Sequence, residues 1–324
     1  MRAALCSEHG PPEVVRVEDV PAPEPGAGEL RVDVHAASVN FPDVLICANE
    51  YQLKVPAPFV PGSEFAGVVE SVGGGVEDFA VGDRVFGTLM VGAFAEQAVV
   101  GATSVTRTPD SVSHQQAAAF GVAHRTAYYS LRSVADVQPG EEVIVLGAGG
   151  GVGLAAVQLA VALGATVTAV ASSAEKLGAA AAMGATHLVN HRDGDLRAAL
   201  KATLPGGADV VIDPVGGTLS EPALRALRYD GRFVVVGFAA GEIPRIPLNL
   251  VLLKGCRIMG FEFRSFMTHE TDAMIRGEAE LLGLLAAGRA SPHIGATFPL
   301  DETAAALRYV GDGNAIGKVV LTVR

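Results

Sequence analysis

This sequence predicts an α/β protein with one doubly wound parallel sheet and a second, strand-rich domain assembled from both chain ends. Three observations carry the prediction. From Glu142 to about Gly260, short apolar runs alternate with helical segments. A cluster of glycines stands between the first of those runs and the first helix. Before about residue 112 the text is strand-like and broken by Pro and Gly.

Taken in order, Leu30, Val32 and Val34 alternate with Arg31, Asp33 and His35, the period of a half-buried strand. Residues 68–72 and 84–86 read the same way. Ser113 followed by Gln116 forms a capping-box pattern ahead of a helix-prone run over 115–134, which marks the first domain boundary. Strands are expected at 143–146, 166–171, 210–213, 233–236 and 257–259, with helices at 152–163, 174–183, 195–203 and 220–228. Runs buried on both faces and separated by helices are the mark of a parallel sheet covered on both sides. The tail carries a helix over 269–287 ending at Gly288, a helix near 301–310 and a strand over 318–323 that completes the first domain. The domains are therefore set at 1–119 with 261–324, and at 120–260.

Composition bounds what such a chain does. With 324 residues, 49% of them hydrophobic, and 39 glycines, it can bury a substantial core and divides into two domains rather than one. A net charge of −11 speaks against a nucleic-acid partner, which clustered Lys and Arg would attract. Cys6, Cys47 and Cys256 are odd in number and form no CxxC pair, so neither a disulfide framework nor a cysteine zinc knuckle is expected, and a reducing cytoplasm fits. Residues 1–10 lack the apolar core of an export signal. One stretch, 143–174, has no charged residue and exceeds the roughly 20 residues of a membrane span. Gly147, Gly149, Gly150, Gly151, Gly153 and Gly164 divide it into strand, turn, helix and strand, so no span is expected.

The glycine cluster points to a dinucleotide. Gly147, Gly150 and Gly153 follow the strand and lead into the helix, whose first residues include Gly151 and Val152. A pyrophosphate must approach backbone closely there, and the helix N-terminus supplies N–H groups and partial positive charge. Sites that select NAD place an acid at the end of the second strand, about 20 residues on. This chain has Ala171, Ser172, Ser173 and Lys176 instead, which suits a 2′-phosphate and favours NADPH. A competing explanation is local: Ser172 with Glu175 makes a capping box, and Lys176 is a solvated helix residue.

Four segments carry a family resemblance: residues 40–43 (Asn-Phe-Pro-Asp), 61–67 (Pro-Gly-Ser-Glu-Phe-Ala-Gly), 82–87 (Gly-Asp-Arg-Val-Phe-Gly) and 147–153 with Gly164 and Ala165. Over essentially its whole length the chain resembles the medium-chain dehydrogenase/reductases, and among them the quinone oxidoreductases related to zeta-crystallin. The resemblance implies a GroES-like, partly open β-barrel domain from the two chain ends, a Rossmann domain between them, and a cleft where cofactor and substrate meet.

Family members that oxidise alcohols hold a catalytic zinc with cysteine and histidine. Here Asn40 stands about where the first cysteine would be, Ser63 replaces the histidine, and residues 86–101 contain no cysteine. Amide and hydroxyl groups are poor zinc ligands, so no metal is expected. His187 and His191, four apart on a strand, lie about 13 Å from each other, too far to share an ion.

The resemblance then implies hydride transfer from NADPH to a quinone or related activated carbonyl compound. An enoyl or 2-alkenal reductase on the same scaffold, and a non-catalytic NADPH-binding protein, are the competing functions. By resemblance, Asn40 and Tyr51 line the cleft with Asp43 behind, and Thr126 contacts nicotinamide or substrate. Tyr51 donates either a proton or only a hydrogen bond. Asp43 is read as orienting its loop and Ser63 as a turn residue. Gly237 and Phe238, then Phe261 and Phe263, resemble residues that cover the nicotinamide, with core packing as their other reading. His191 stands where relatives often place a residue beside the adenine ribose phosphate, and Asn314 is expected to reach the cofactor from the tail. His124 and Arg125 depart from the family pattern: Arg125 either attracts an anionic substrate moiety or forms an ion pair. The strand at 257–259 is the expected free edge of the sheet, and pairing it with its symmetry mate predicts a homodimer.

Overall fold

The computed structural model describes residues 1–324. Its elements run β1 (Arg2–Cys6), β2 (Val15–Asp19), β3 (Glu29–Val39), α1 (Phe41–Cys47), β4 (Glu64–Val72), β5 (Arg84–Thr88), β6 (Gln97–Gly101), β7 (Val105–Arg107) and α2 (His114–Tyr129). There follow β8 (Glu142–Leu146), α3 (Gly151–Ala162), β9 (Thr166–Ala171), α4 (Ala174–Ala182), β10 (His187–Asn190), α5 (Leu196–Thr203), β11 (Ala208–Asp213), α6 (Ser220–Ala226) and β12 (Leu227–Val235). The remainder is α7 (Leu248–Lys254), β13 (Arg257–Gly260), α8 (Phe263–His269), α9 (Thr271–Ala286), β14 (Ile294–Pro299), α10 (Thr303–Gly311) and β15 (Lys318–Thr322).

Residues 1–122 and 294–324 form one compact unit, and residues 123–293 another. In the first, strands order as β14-β15-β3-β4-β5-β7, with β6 also paired to β3. All neighbours are antiparallel except β14 and β15. Leu30, Val32 and Val34 bury one face of β3, as their alternation predicts, and they pack with Phe65, Phe94 and Leu321. The C-terminal strand β15 thus lies against β3, holding the chain ends in one sheet.

Helix α1 interrupts the strand-like N-terminal text. Seven residues are too few for an amphipathic period to show, but the start signals are present: Asn40 at the N-cap, a proline in the first turn and Asp43 at N3, whose carboxylate accepts from the Asn40 backbone N–H at 2.7 Å. Helix α2 begins as the capping box requires. The Gln116 N–H donates to Ser113 Oγ at 3.2 Å, and the Ser113 N–H donates to Gln116 Oε1 at 3.0 Å.

The second unit holds a six-stranded sheet, ordered β10-β9-β8-β11-β12-β13 and parallel throughout. The charge-free stretch 143–174 resolves into β8, a turn, α3 and β9, and no helix of the chain is long and apolar enough to cross a membrane. The returning segment starts at Ile294, not at 261. Side chains explain why residues 261–293 stay with the nucleotide-type sheet. Phe261, Phe263, Phe266 and Tyr129 form one aromatic cluster, and the Tyr128 hydroxyl donates to Glu280 at 2.8 Å. Gly277 permits the close approach of α9, since a methyl there would meet the Tyr129 ring at 2.7 Å.

Candidate active site

Two of the family-type segments of the first unit, 40–43 and 61–67, converge on one buried polar cluster. Glu64 opens β4, Lys318 opens β15 and Asn40 caps α1; β3 lies between the two strands and ends at Val39, so all three side chains meet at one end of the sheet. Lys318 Nζ donates to Glu64 Oε1 and to Asn40 Oδ1, both at 2.6 Å. With its oxygen engaged by the ammonium, the Asn40 amide presents Nδ2, which donates to Glu64 Oε1 at 3.0 Å and to Ser63 Oγ at 3.1 Å. Glu64 Oε2 accepts the Val122 N–H at 2.8 Å. Lys318 and Glu64 are 4% and 1% exposed, so this ion pair is removed from solvent and satisfied by hydrogen bonds on both sides.

Asp43 sits behind Asn40. Its Oδ2 accepts the Asn40 N–H, while Oδ1 is buried and has no partner of hydrogen-bond geometry, although the Ser63 hydroxyl lies beside the carboxyl. Burial pushes the carboxyl up to about 7, against the lowering effect of Asn40, Ser63 and Lys318. Ser63 is half-buried and is the outermost group of this cluster after Asn40 and Asp43. Tyr51 is half-buried too, packed at the margin of the same core, with its backbone N–H on Leu45 O at 3.2 Å.

In the second unit the glycine turn has the expected form. Gly147 adopts φ +59°, and a methyl at Gly153 would meet Gly147 O at 2.1 Å, so these two glycines are required by the turn itself. Gly150 caps α3 with no side-chain hydrogen bond, and the nearest atom to a methyl there is Gly147 O at 3.5 Å. The first turn, with Gly151 and Val152, carries the N–H groups that a helix start leaves without intrahelical partners, a cradle suited to pyrophosphate.

At the end of β9 the cap is Ser173, not Ser172: its hydroxyl accepts the Lys176 N–H at 3.3 Å. Ser172 is left half-buried at the strand end. The Lys176 stem covers Gly149, where a methyl would meet its Cβ at 2.5 Å. His191 follows β10 and donates its N–H to Ala171 O at 3.1 Å, which brings it alongside the serines. Burial first, then Arg192, lower the pKa of both Lys176 and His191, and Lys176 further lowers that of His191. Three basic groups thus gather beside two hydroxyls. Arg192 follows directly on the predicted His191 and is added to the group by the fold.

Other predicted residues are placed separately. Thr126 is half-buried on α2, and Gly237 and Phe238 follow β12, with the Gly237 N–H on Asp213 O at 3.3 Å. Phe261 is 5% exposed and belongs to the aromatic cluster with the half-buried Phe263, which is the packing reading of that pair. Asn314 is exposed in the turn after α10. Arg125 is buried and paired with Glu278, Nε to Oε1 at 3.0 Å, so the ion-pair reading describes it. His124 Nε2 lies 3.3 Å from Gln158 Oε1.

Two family profiles match the chain: an alcohol dehydrogenase GroES-like domain over residues 26–110 and a zinc-binding dehydrogenase domain over 151–277. The second description implies a metal, which the residues here do not fit. No three His, Cys, Asp or Glu side chains gather to hold an ion, and around Asn40 the Lys318 ammonium already supplies the positive charge. The chain is 39% identical to quinone oxidoreductase-like protein 2 of Bos taurus, covering 100% of this chain and 93% of that protein. It is 34% identical to the quinone oxidoreductase of Homo sapiens, covering 99% and 97%. The crystal structure of Escherichia coli quinone oxidoreductase complexed with NADPH superposes with a TM-score of 0.91 at 28% identity, covering 100% of both chains. Shared domains and shared length together show that the chain belongs to the quinone oxidoreductase branch of the medium-chain dehydrogenase/reductase family of NAD(P)-dependent oxidoreductases.

Proposed function

We propose that the protein is an NADPH-dependent, metal-independent reductase of quinones or related activated carbonyl compounds, working as a homodimer. The observation that carries the cofactor choice is the group Lys176, His191 and Arg192 at the ends of β9 and β10, beside Ser172. Glu175, the nearest acid in sequence, is exposed and is held in its charged form by its own helix terminus and by the Ser173 hydroxyl, so Ser172 is the hydroxyl offered to a phosphate. A 2′-phosphate meets both cations and a hydroxyl donor in that group, whereas a bare ribose leaves the cations unused.

Bound NADPH would supply the hydride. The chain's own part is to cradle the pyrophosphate on Gly150, Gly151 and Val152, to present a donor to the acceptor oxygen, and to keep that donor fixed. The Ser63 hydroxyl is such a donor: its oxygen accepts from Asn40 Nδ2, and Lys318 fixes the orientation of that amide by occupying Oδ1. An electron-poor acceptor suits this arrangement, because a neutral hydroxyl donor stabilises a developing oxyanion without a metal. The homodimer rests on β13, the unpaired edge of its sheet, with Ile258 exposed on it and Leu252 and Leu253 exposed on α7.

The test is oxidation of NADPH and of NADH by metal-analysed protein, with 1,4-benzoquinone, 9,10-phenanthrenequinone and 2-hexenal in parallel. NADPH-preferring turnover without stoichiometric metal supports the reading, and the best acceptor separates quinone from enone reduction. Binding of NADPH with no turnover on any acceptor would make it a binding protein instead.

A further inference from the structure

Reduction of a carbonyl or quinone oxygen needs a proton as well as a hydride, and the first unit contains a group built to hold one. Asp43 is fully buried at the third position of α1 with one carboxyl oxygen satisfied by the Asn40 N–H and the other without a partner of hydrogen-bond geometry. The only hydroxyl beside that carboxyl is Ser63, which is half-buried and already accepts from Asn40 Nδ2 at 3.1 Å. A hydroxyl oxygen that accepts from an amide must send its own proton elsewhere. When Asp43 is ionised that proton turns to the orphan oxygen, and when Asp43 is protonated the carboxyl can itself donate to Ser63 Oγ.

We propose that Asp43 and Ser63 form the proton-delivery couple of this site, with the Ser63 hydroxyl giving its proton to the acceptor oxygen and Asp43 replacing it. The proposal rests on the reductase reading above. In the step, the Ser63 O–H bond breaks as an O–H bond forms on the acceptor, which takes its electron pair with the hydride. The Asp43 O–H bond breaks as the Ser63 O–H is remade, leaving a carboxylate that water reprotonates through the part-exposed Ser63. Ser63 touches the reacting oxygen and is the catalytic group; Asp43 acts through it.

The surroundings suit a reservoir. Burial raises the Asp43 carboxyl to about 7, close to where a general acid is most effective. The charged groups that face it are Glu64 on β4, which raises it, and Lys318 on β15, which lowers it, and these two are paired with each other. Cys47, on the same helix, is held as a neutral thiol by burial. From α10, the helix packed on α1, Arg308 is engaged with Glu13 and Asp312.

The experiment combines carbon NMR of the aspartate carboxyls in the nucleotide-free protein with single-turnover NADPH oxidation across about pH 5 to about pH 9. Wild type, Asp43→Asn, Ser63→Ala and Ser63→Thr are compared. The resonance missing in Asp43→Asn titrates near neutrality in wild type and moves up in Ser63→Ala, since the hydroxyl favours the ionised form. Wild-type single-turnover rate falls as pH rises through the Asp43 titration. Ser63→Ala and Asp43→Asn lose that dependence and roughly 10²- to 10⁴-fold in rate, and Ser63→Thr, which keeps a hydroxyl, restores both. A carboxyl that titrates in the ordinary aspartate range overturns the proposal, as does a Ser63→Ala profile that matches wild type. A wild-type protein that reduces no acceptor overturns the reductase reading and the delivery role with it, while turnover with an unaltered Ser63→Ala profile overturns the delivery role alone.

Discussion

The ammonium of Lys318 and the carboxylate of Glu64 lie 2.6 Å apart although 254 residues separate them, and each is nearly inaccessible to water. Removing one partner strands a buried charge. Lys318→Met is expected to destabilise the protein by about 3–5 kcal/mol, whereas Lys318→Met combined with Glu64→Gln recovers part of that loss because neither charge then remains. Urea denaturation of the two variants and of Glu64→Gln closes the cycle.

Asp43 gives stability a definite pH dependence. Its carboxyl titrates at about 7 when folded, against an ordinary value of 3.8, so between those limits the native state binds more protons than the unfolded chain. Its contribution is complete below the ordinary carboxylate range and is lost as pH rises toward neutrality. Asp43→Asn is expected to flatten this slope in denaturation midpoints measured from about pH 4 to about pH 8.

The glycine turn separates folding from binding. A methyl at Gly153 meets backbone at 2.1 Å, so Gly153→Ala should lower the melting temperature and abolish nucleotide binding together. A methyl at Gly150 makes only ordinary contact within the protein. Gly150→Ala should therefore keep the wild-type melting temperature and weaken NADPH binding by roughly tenfold or more, read by titration of the bound nicotinamide fluorescence.

The basic group beside Ser173 should discriminate between nucleotides. Arg192→Ala and Lys176→Ala are each expected to weaken NADPH by roughly tenfold and to leave NADH nearly unchanged, the value of one charge-assisted contact to phosphate. Equal losses for both nucleotides in calorimetric titrations would show that the 2′-phosphate lies elsewhere.

How much of this was legible depends on how local each signal is. The parallel strands announce themselves because both faces are buried, so β8, β9 and β11 are continuous apolar runs. The capping box at Ser113 and the turn at Gly147 are equally local. Helices α7 and α8 leave no signal because each is seven residues long, too short for a period, and β14 leaves none because it is a brief edge strand. The buried polar cluster is half legible. Asn40, Asp43 and Ser63 stand out in the sequence, but Asp43 and Ser63 read there as loop and turn residues because only the fold brings them together. Glu64 and Lys318 each begin an otherwise apolar run, and a charge in that position asks for a partner that the sequence does not name. Arg192 lies beyond the second strand's end and joins Lys176 only through the pairing of β9 with β10.

The place of β15 between β14 and β3 also sets an order of events during synthesis. Asn40 and Glu64 leave the ribosome early, yet the cation that neutralises Glu64 is made only after all of residues 123–293. Until then β3 lacks its β15 neighbour and Glu64 its counter-ion, so the sheet of the first unit is completed only after the second unit has been made.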